Sequence, residues 1–298
     1  MNASAARLRR CGVIPLAIVA LVTMCGVDGG TQPARGTERA VAAATAAPAT
    51  CQRAAFRVVV DVGHTLDVPG AISARGVPEY AFNLRLAGEI REKLVAAGFA
   101  KTVLLITAEA PPLGLVQRTL RANALGADLF ISIHHDSVPE YLLESWDYEG
   151  QPNHFSDRFK GFALFISNDN ADRAGSLAFG RLLGKALEAR GLSYTPHYTL
   201  ALMANRRREL LDAAAGVYRY DQLIVLRDTR MPSVLLEAGS IVNRDEELEL
   251  GTAERRSLIS AAVAAAVEEF CVARSKRNGL PRAKAAPPGH TSASTGVR

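Results

Sequence analysis

The feature that most constrains the fold is a series of short apolar runs, each bounded by polar or glycine residues. Such runs are typical of strands in a sheet that is covered by helices on both faces. We predict strands at residues 56–61, 102–107, 128–134, 161–166, 223–226 and 233–237. Helical spacing of apolar side chains predicts helices at residues 80–97, 115–125, 172–190 and 253–274. This alternation predicts a single α/β domain with a mostly parallel sheet.

The two ends of the chain differ in composition from the middle. Arg7, Arg9 and Arg10 precede an apolar run, so we predict a signal peptide over residues 1–27 and a periplasmic or exported protein. An uncleaved anchor and a lipoprotein signal at Cys25 are the alternatives. The remaining boundaries follow from composition: a linker at residues 28–50, the folded domain at 51–274 and a disordered basic tail at 275–298.

The formal net charge of +5 comes from those two ends, because the residues between them carry more acidic than basic side chains. A basic chain whose domain is acidic gives no support to a nucleic-acid-binding face. We therefore expect no nucleic acid among its partners.

Two cysteines, Cys51 and Cys271, lie outside the predicted signal peptide. In an exported protein such a pair can form a disulfide. Cys51 precedes the first predicted strand and Cys271 lies near the end of the last predicted helix, so a bridge would join the two ends of the domain. Two buried thiols are the alternative that the sequence leaves open.

Three predicted strands lead directly into a side chain that can bind a metal or move a proton. His64 follows the first strand, His134 ends the third and Glu237 ends the last. Ligands of open α/β sheets bind at the carboxyl ends of the strands, so these side chains can converge on one edge. Glu79 can join them from the first turn of the next helix, although the helix dipole also favours a plain carboxylate there.

Two imidazoles and one carboxylate are a standard ligand set for catalytic zinc, which keeps a fourth position for water. We predict one Zn²⁺ per chain, with His64, Glu79 and His134 as its ligands. Glu237 would then be the catalytic residue, taking a proton from water and passing it to the leaving amine.

Several ordered blocks of this sequence resemble the zinc-dependent N-acetylmuramoyl-L-alanine amidases, a family of type 3 cell-wall amidases. The blocks are residues 61–64, 76–79 with Asn83 and Leu84, Arg118 with Ala122 and Asn123, 127–134, 225–227, and 232–239 with Asn243. The resemblance implies a mixed six-stranded sheet with helices on both faces, one zinc ion, and the residue roles given above. It also implies hydrolysis of the amide between N-acetylmuramic acid and L-alanine in peptidoglycan.

The sequence departs from the family pattern beside two of the ligands. Thr65 and Leu66 replace a glycine pair, and His135 and Asp136 replace an Ala-Asn pair. His135 could compete with His134 for the metal, although the family register favours His134 and neighbours on a strand point to opposite faces. Asp136 could orient a ligand or cap a loop.

Two segments are longer than the family core requires: residues 137–160, called here the first insert, and residues 192–222, the second insert. The second contains three consecutive arginines at 206–208. Loops at this edge of a sheet border the active site, so we expect one insert to shape or cover the substrate groove, with cations meeting the acidic stem peptide. An exposed loop and a solvated charged face are the alternatives.

The resulting hypothesis is an exported, monomeric amidase acting on peptidoglycan or muropeptides, with a protein activator as a candidate partner. A zinc peptidase acting on the stem peptide would use the same metal set and base, so only the pocket distinguishes the two. From a different class, a silent peptidoglycan-binding or regulatory protein would have lost Glu237 or a ligand, and all four residues are present.

Overall fold

The computed structural model describes residues 50–279. Its strands are β1 (Val58–Val62), β2 (Val103–Leu105), β3 (Leu129–Asp136), β4 (Glu144–Tyr148), β5 (Gln151–Phe155), β6 (Ala163–Ile166), β7 (Leu210–Asp212), β8 (Val217–Arg219) and β9 (Ser233–Ser240). Its α-helices are α1 (Glu79–Ala96), α2 (Leu113–Ala124), α3 (Arg173–Glu188), α4 (Ile224–Arg227), α5 (Arg244–Leu250) and α6 (Ala253–Gly279). The predicted signal peptide, nearly all of the linker and most of the tail lie outside the described residues.

One sheet carries strands in the order β2-β1-β3-β9-β6-β8-β7. The first four run parallel to one another, β6 is antiparallel to β9, and β7 is antiparallel to β8. Helices α1, α3 and α6 bury their apolar sides on one face, and α2 and α4 pack on the other. The α/β class, the mixed and mostly parallel sheet and the helices on both faces are therefore as predicted.

The structure differs from the sequence-based prediction in three places. The main sheet has seven strands rather than six, because the second insert adds β7 and β8 at its edge. Residues 223–226, predicted as a strand, lead into and form most of the short helix α4. A four-residue run that is apolar throughout fits a buried helical turn as well as a buried strand. Helix α6 also continues to Gly279, beyond the end predicted for the closing helix at residue 274.

The alternation of side chains along the strands decides which residues reach the same face. On β1, Val58, Val60 and Val62 enter the core below α1 and α6, whereas Asp61 faces the other side. In the register of β3 and β9, His134 lies directly beside Glu237. Because neighbouring strands are about 4.8 Å apart, this register brings the two side chains together at the carboxyl edge of the sheet.

A disulfide links Cys51, just before β1, to Cys271 in α6. The bridge that the sequence left open therefore joins the two ends of the domain. Within residues 50–279 no helix has the length and apolar character needed to cross a bilayer.

Replacing both cysteines by alanine is expected to lower the free energy of unfolding by about 2–5 kcal/mol, because the bridge restricts the unfolded chain over a long loop. The separation of the two residues is 220 positions. Urea denaturation with and without a reducing agent measures the effect. Reduction should bring the wild type to the stability of the Cys51→Ala/Cys271→Ala variant, and an unchanged midpoint on reduction would contradict the prediction.

Candidate metal centre and active site

Three potential metal ligands converge at the carboxyl edge of β1 and β3. Glu79 lies between two imidazoles, with its Oε2 3.0 Å from His64 Nε2 and its Oε1 2.9 Å from His134 Nδ1. One ligand atom from each residue lies within 4.8 Å of the others. The set of two nitrogens and one carboxylate oxygen suits a zinc ion.

Two glycines leave room for these ligands. A Cβ at position 63 would stand 2.4 Å from His134 Nε2, and a Cβ at position 70 would stand 2.4 Å from Glu79 Oε2. Gly70 also has a φ of +82°, a conformation that favours glycine. The sequence Gly63-His64 and the loop through Gly70 thus form a cradle that any larger residue would fill.

A buried ion pair holds the loop that carries His64. His64 has a φ of 66°, which is uncommon for a residue with a side chain. Arg118 of α2 donates hydrogen bonds to the carbonyl groups of His64 and Val62 and to the Asp61 carboxylate, the last at 2.8 Å. The other Asp61 oxygen accepts a bond from the Ser132 hydroxyl at 2.7 Å. These contacts fix a strained backbone at the position of the first ligand.

The carboxylate of Glu79 is oriented by Asn83, one turn further along α1. The Asn83 amide nitrogen donates to Glu79 Oε1 at 3.1 Å and to the Gly63 carbonyl at 3.2 Å. Burial disfavours the charged form of Glu79, but hydrogen bonds from His134 and His64 outweigh it and hold its pKa well below the usual value. Glu79 is therefore a carboxylate at neutral pH, as a ligand must be.

His135 points away from the ligand cluster. Its side chain lies against Phe82, and its Nδ1 donates to Asn83 Oδ1 at 2.7 Å. Burial lowers the pKa of His135 to about 3, so the ring is neutral at physiological pH. The structure thus brings His134, and not His135, to Glu79 and His64, as the period of a strand requires.

Glu237 on β9 faces the same space as His134. Its Oε2 atom is buried, and no described residue forms a hydrogen bond with it. Burial, together with the nearby charges of Asp136 and Glu79, raises the pKa of Glu237 well above its usual value. A partnerless carboxyl group beside a metal-type cluster is able to exchange a proton with a molecule in the cleft.

Asp136 accepts a hydrogen bond from the backbone N–H of Ser137 at 2.7 Å, at the start of the loop that follows β3, and it also anchors the second insert. It accepts hydrogen bonds from the Tyr198 hydroxyl at 2.6 Å and from Arg206 Nη2 at 3.2 Å. The Tyr141 hydroxyl of the first insert also donates to the Leu202 carbonyl at 2.5 Å. The second insert therefore borders the site, as expected. The first insert contacts the second insert through the Tyr141 hydrogen bond.

A cleft of about 410 Å³ runs from the ligands across the second face of the sheet. Its floor is formed by strand residues, and its walls by α2 and the second insert; the lining includes His64, His134, Glu237, Ser132, Phe165, Leu235, Leu115, Tyr198, Arg206, Arg208 and Tyr220. The lining of a smaller recess of about 350 Å³ includes Glu79, His64, His134 and His135. His64, His134, Glu237 and Arg206 line both spaces, so the two spaces meet where the ligand cluster faces the second insert.

Proteins with related sequences include several N-acetylmuramoyl-L-alanine amidases. The family model described as N-acetylmuramoyl-L-alanine amidase, Amidase_3, matches residues 58–269. AmiC of Neisseria meningitidis serogroup B is 26% identical over 230 residues, covering 72% of this chain and 52% of that protein. AmiA of Escherichia coli K12 is 29% identical over 219 residues, covering 72% of this chain and 75% of that protein. The chain thus spans about half the length of the Neisseria relative.

Solved structures of amidases share this fold. The catalytic domain of CwlV from Bacillus (Paenibacillus) polymyxa var. colistinus superposes with a TM-score of 0.52 at 25% identity, covering 72% of this chain and 97% of that domain. Ami1 from Mycobacterium smegmatis gives a TM-score of 0.56 at 18% identity, covering 74% of this chain and 98% of that protein. Because the family model matches most of the sequence, we conclude that this chain belongs to the N-acetylmuramoyl-L-alanine amidase family of the Amidase_3 type.

Proposed function

We propose that this protein is a zinc-dependent hydrolase that cleaves the amide bond between N-acetylmuramic acid and L-alanine in peptidoglycan. The observation that carries the proposal is the placement of Glu237, with its partnerless Oε2, beside the His64, Glu79 and His134 cluster. Membership of the amidase family supplies the substrate class.

His64, Glu79 and His134 would hold the ion. Three observations support the fit: the donor set, the convergence of the ligand atoms and the space left by Gly63 and Gly70. When bound, the zinc ion supplies Lewis acidity, which makes water a nucleophile near neutral pH.

In this mechanism Glu237 moves the proton. It takes a proton from the attacking water and gives it to the nitrogen of L-alanine as the carbon–nitrogen bond breaks. A nearby cation favours the charged form of a carboxyl group and so opposes the effect of burial on the Glu237 pKa. Asn83 and Arg118 take no part in proton transfer; they hold Glu79 and His64 in position through the contacts described above.

Mass spectrometry of the products from defined muropeptides tests the proposed function. We expect release of the intact stem peptide beginning at L-alanine, loss of this activity on treatment with a chelator, and recovery on addition of zinc. Shortened stems that remain attached to the sugar would instead identify a peptidase. Binding of zinc and of peptidoglycan without cleavage would identify a binding or regulatory protein.

We also propose that the enzyme works outside the cytoplasm, because its proposed substrate is the cell wall. We propose in addition that it is a monomer. Export would use the signal peptide predicted over residues 1–27. The N-terminal sequence of the mature protein from a cell-envelope fraction tests this, and a retained residue 1 would show that no signal was removed.

A further inference from the structure

The three consecutive arginines of the second insert project in two directions. Arg206 and Arg208 are partly buried and line the cleft that begins at the proposed metal ligands, whereas Arg207 is exposed and does not line it. Arg207 has an extended backbone, with φ −61° and ψ 137°. In extended chain the residues on either side of a given position point to the same side, so the arrangement follows from the local conformation.

The two arginines that line the cleft have hydrogen-bond donors to spare. Arg206 contacts Asp136 and Tyr198 through Nη2 alone. Arg208 donates through Nη1 to two backbone carbonyls at 2.9 Å, and its buried Nε forms no hydrogen bond with any described residue. A guanidinium group carries five N–H donors in a planar fork, so several of them remain for a ligand in the cleft.

Within residues 50–279 no ion pair involves Arg208, whereas Asp61 on the floor is already paired with Arg118. The guanidinium of Arg208 lies 4.0 Å from the centre of the Tyr220 ring, which holds it at the wall of the cleft. Glu109 lines the cleft as well, and its Oε2 atom also has no partner among the described residues. The arginine wall therefore offers a defined place for an anionic group of a ligand.

We propose that Arg206 and Arg208 form a carboxylate subsite that binds the acidic residue following L-alanine in the stem peptide. This inference rests on the proposed amidase function. A single cavity contains Glu237, the two histidine ligands and both arginines, so a stem whose first amide lies at Glu237 can continue along the arginine wall. The planar fork of arginine matches a carboxylate in two-point hydrogen bonding, which an amide in the same place cannot reproduce.

The test compares two muropeptides that differ in one group: the second stem residue is D-isoglutamate with a free carboxylate, or D-isoglutamine with an amide. Arg208→Gln should lower kcat/KM on the acid by about 10- to 100-fold, mainly through KM, and on the amide by no more than about threefold. Arg206→Lys, which keeps a positive charge for Asp136, should shift the preference in the same direction. Arg207→Gln is the matched control and should behave as the wild type. Equal losses on both substrates in Arg208→Gln would overturn the subsite.

Calorimetric titration separates this inference from the amidase proposal. The probes are the tripeptide L-alanyl-γ-D-glutamyl-L-lysine with a free α-carboxylate on its glutamyl residue and the same tripeptide with that group amidated, so that the γ-carboxyl is bonded to lysine in both; each is added to the full-length protein. We expect the wild type to bind the acid more tightly and Arg208→Gln to lose that preference. A wild type that prefers the acid but cleaves neither muropeptide would support the subsite and refute the amidase. A wild type that cleaves both muropeptides and shows no preference in binding or rate would support the amidase and refute the subsite.

Discussion

Replacing Glu237 by glutamine is expected to lower kcat for stem release by about 10²- to 10⁴-fold, the usual contribution of a general acid–base residue. Glutamine keeps the size of the side chain and its place beside His134, but it cannot accept a proton from water and return it to the leaving amine. Because Glu237 is not among the three clustered ligand residues, the variant should still bind one zinc ion per chain. Initial rates of stem release and the zinc content of the dialysed protein measure the two parts of the prediction.

Glu209→Gln is a suitable control for this experiment. Glu209 is an exposed glutamate of the second insert that pairs with Arg219 at 3.1 Å and does not line the cleft. Its replacement should leave both rate and zinc content as in the wild type. If Glu237→Gln kept more than about a tenth of the wild-type rate, proton transfer by Glu237 would be refuted. If the variant lost its zinc, Glu237 would have to be reassigned as a ligand.

The adjacent histidines provide the second large effect. His134→Gln is expected to weaken zinc binding by more than about 100-fold, because even outer-sphere changes cost about 10- to 100-fold. His135→Gln changes the same residue type one position away, where the ring contacts Asn83 and Phe82 instead of Glu79. It should keep one zinc ion per chain when zinc is in excess.

Competitive titration with a zinc-binding dye measures both affinities, and circular dichroism checks that both variants are folded. The comparison is demanding because the two substitutions are chemically identical and differ only in the face of β3 on which they lie. Retention of zinc by His134→Gln together with its loss from His135→Gln would show that the ligand set is wrong. Loss of zinc from both folded variants would show that zinc binding needs the contacts of His135 with Asn83 and Phe82 as well as His134.

The features that the sequence predicted correctly are those that depend on local pattern. Strand β3 begins with the largely apolar run that leads to His134, and the two-residue period of the strand separates His134 from His135. The strand predicted at residues 223–226 was wrong because a run of four apolar residues shows neither the period of a strand nor that of a helix. Strands β7 and β8 were missed because each has three residues within a polar insert.

The contacts of Asp136 with the second insert could not be predicted, because those partners are far away in the sequence. Tyr198 and Arg206 lie 62 and 70 positions further along the chain, and nothing local in either segment marks the contact. Asn83 was visible only as part of a family block, since its contacts with Glu79, with the Gly63 carbonyl and with His135 appear only in the folded structure. For Asp136, the only signal in the sequence was that the pair His135-Asp136 departs from the family pattern.

The disulfide between Cys51 and Cys271 makes the backbone of the domain a closed covalent ring. Both inserts, the proposed ligands and Glu237 lie within that ring. A protease that cuts once in an exposed loop, for example after Arg207, therefore opens the ring without releasing a fragment. The nicked domain remains one molecule until the bridge is reduced. For an enzyme proposed to work outside the cytoplasm, a single cleavage therefore changes the connectivity of the chain without removing any part of it.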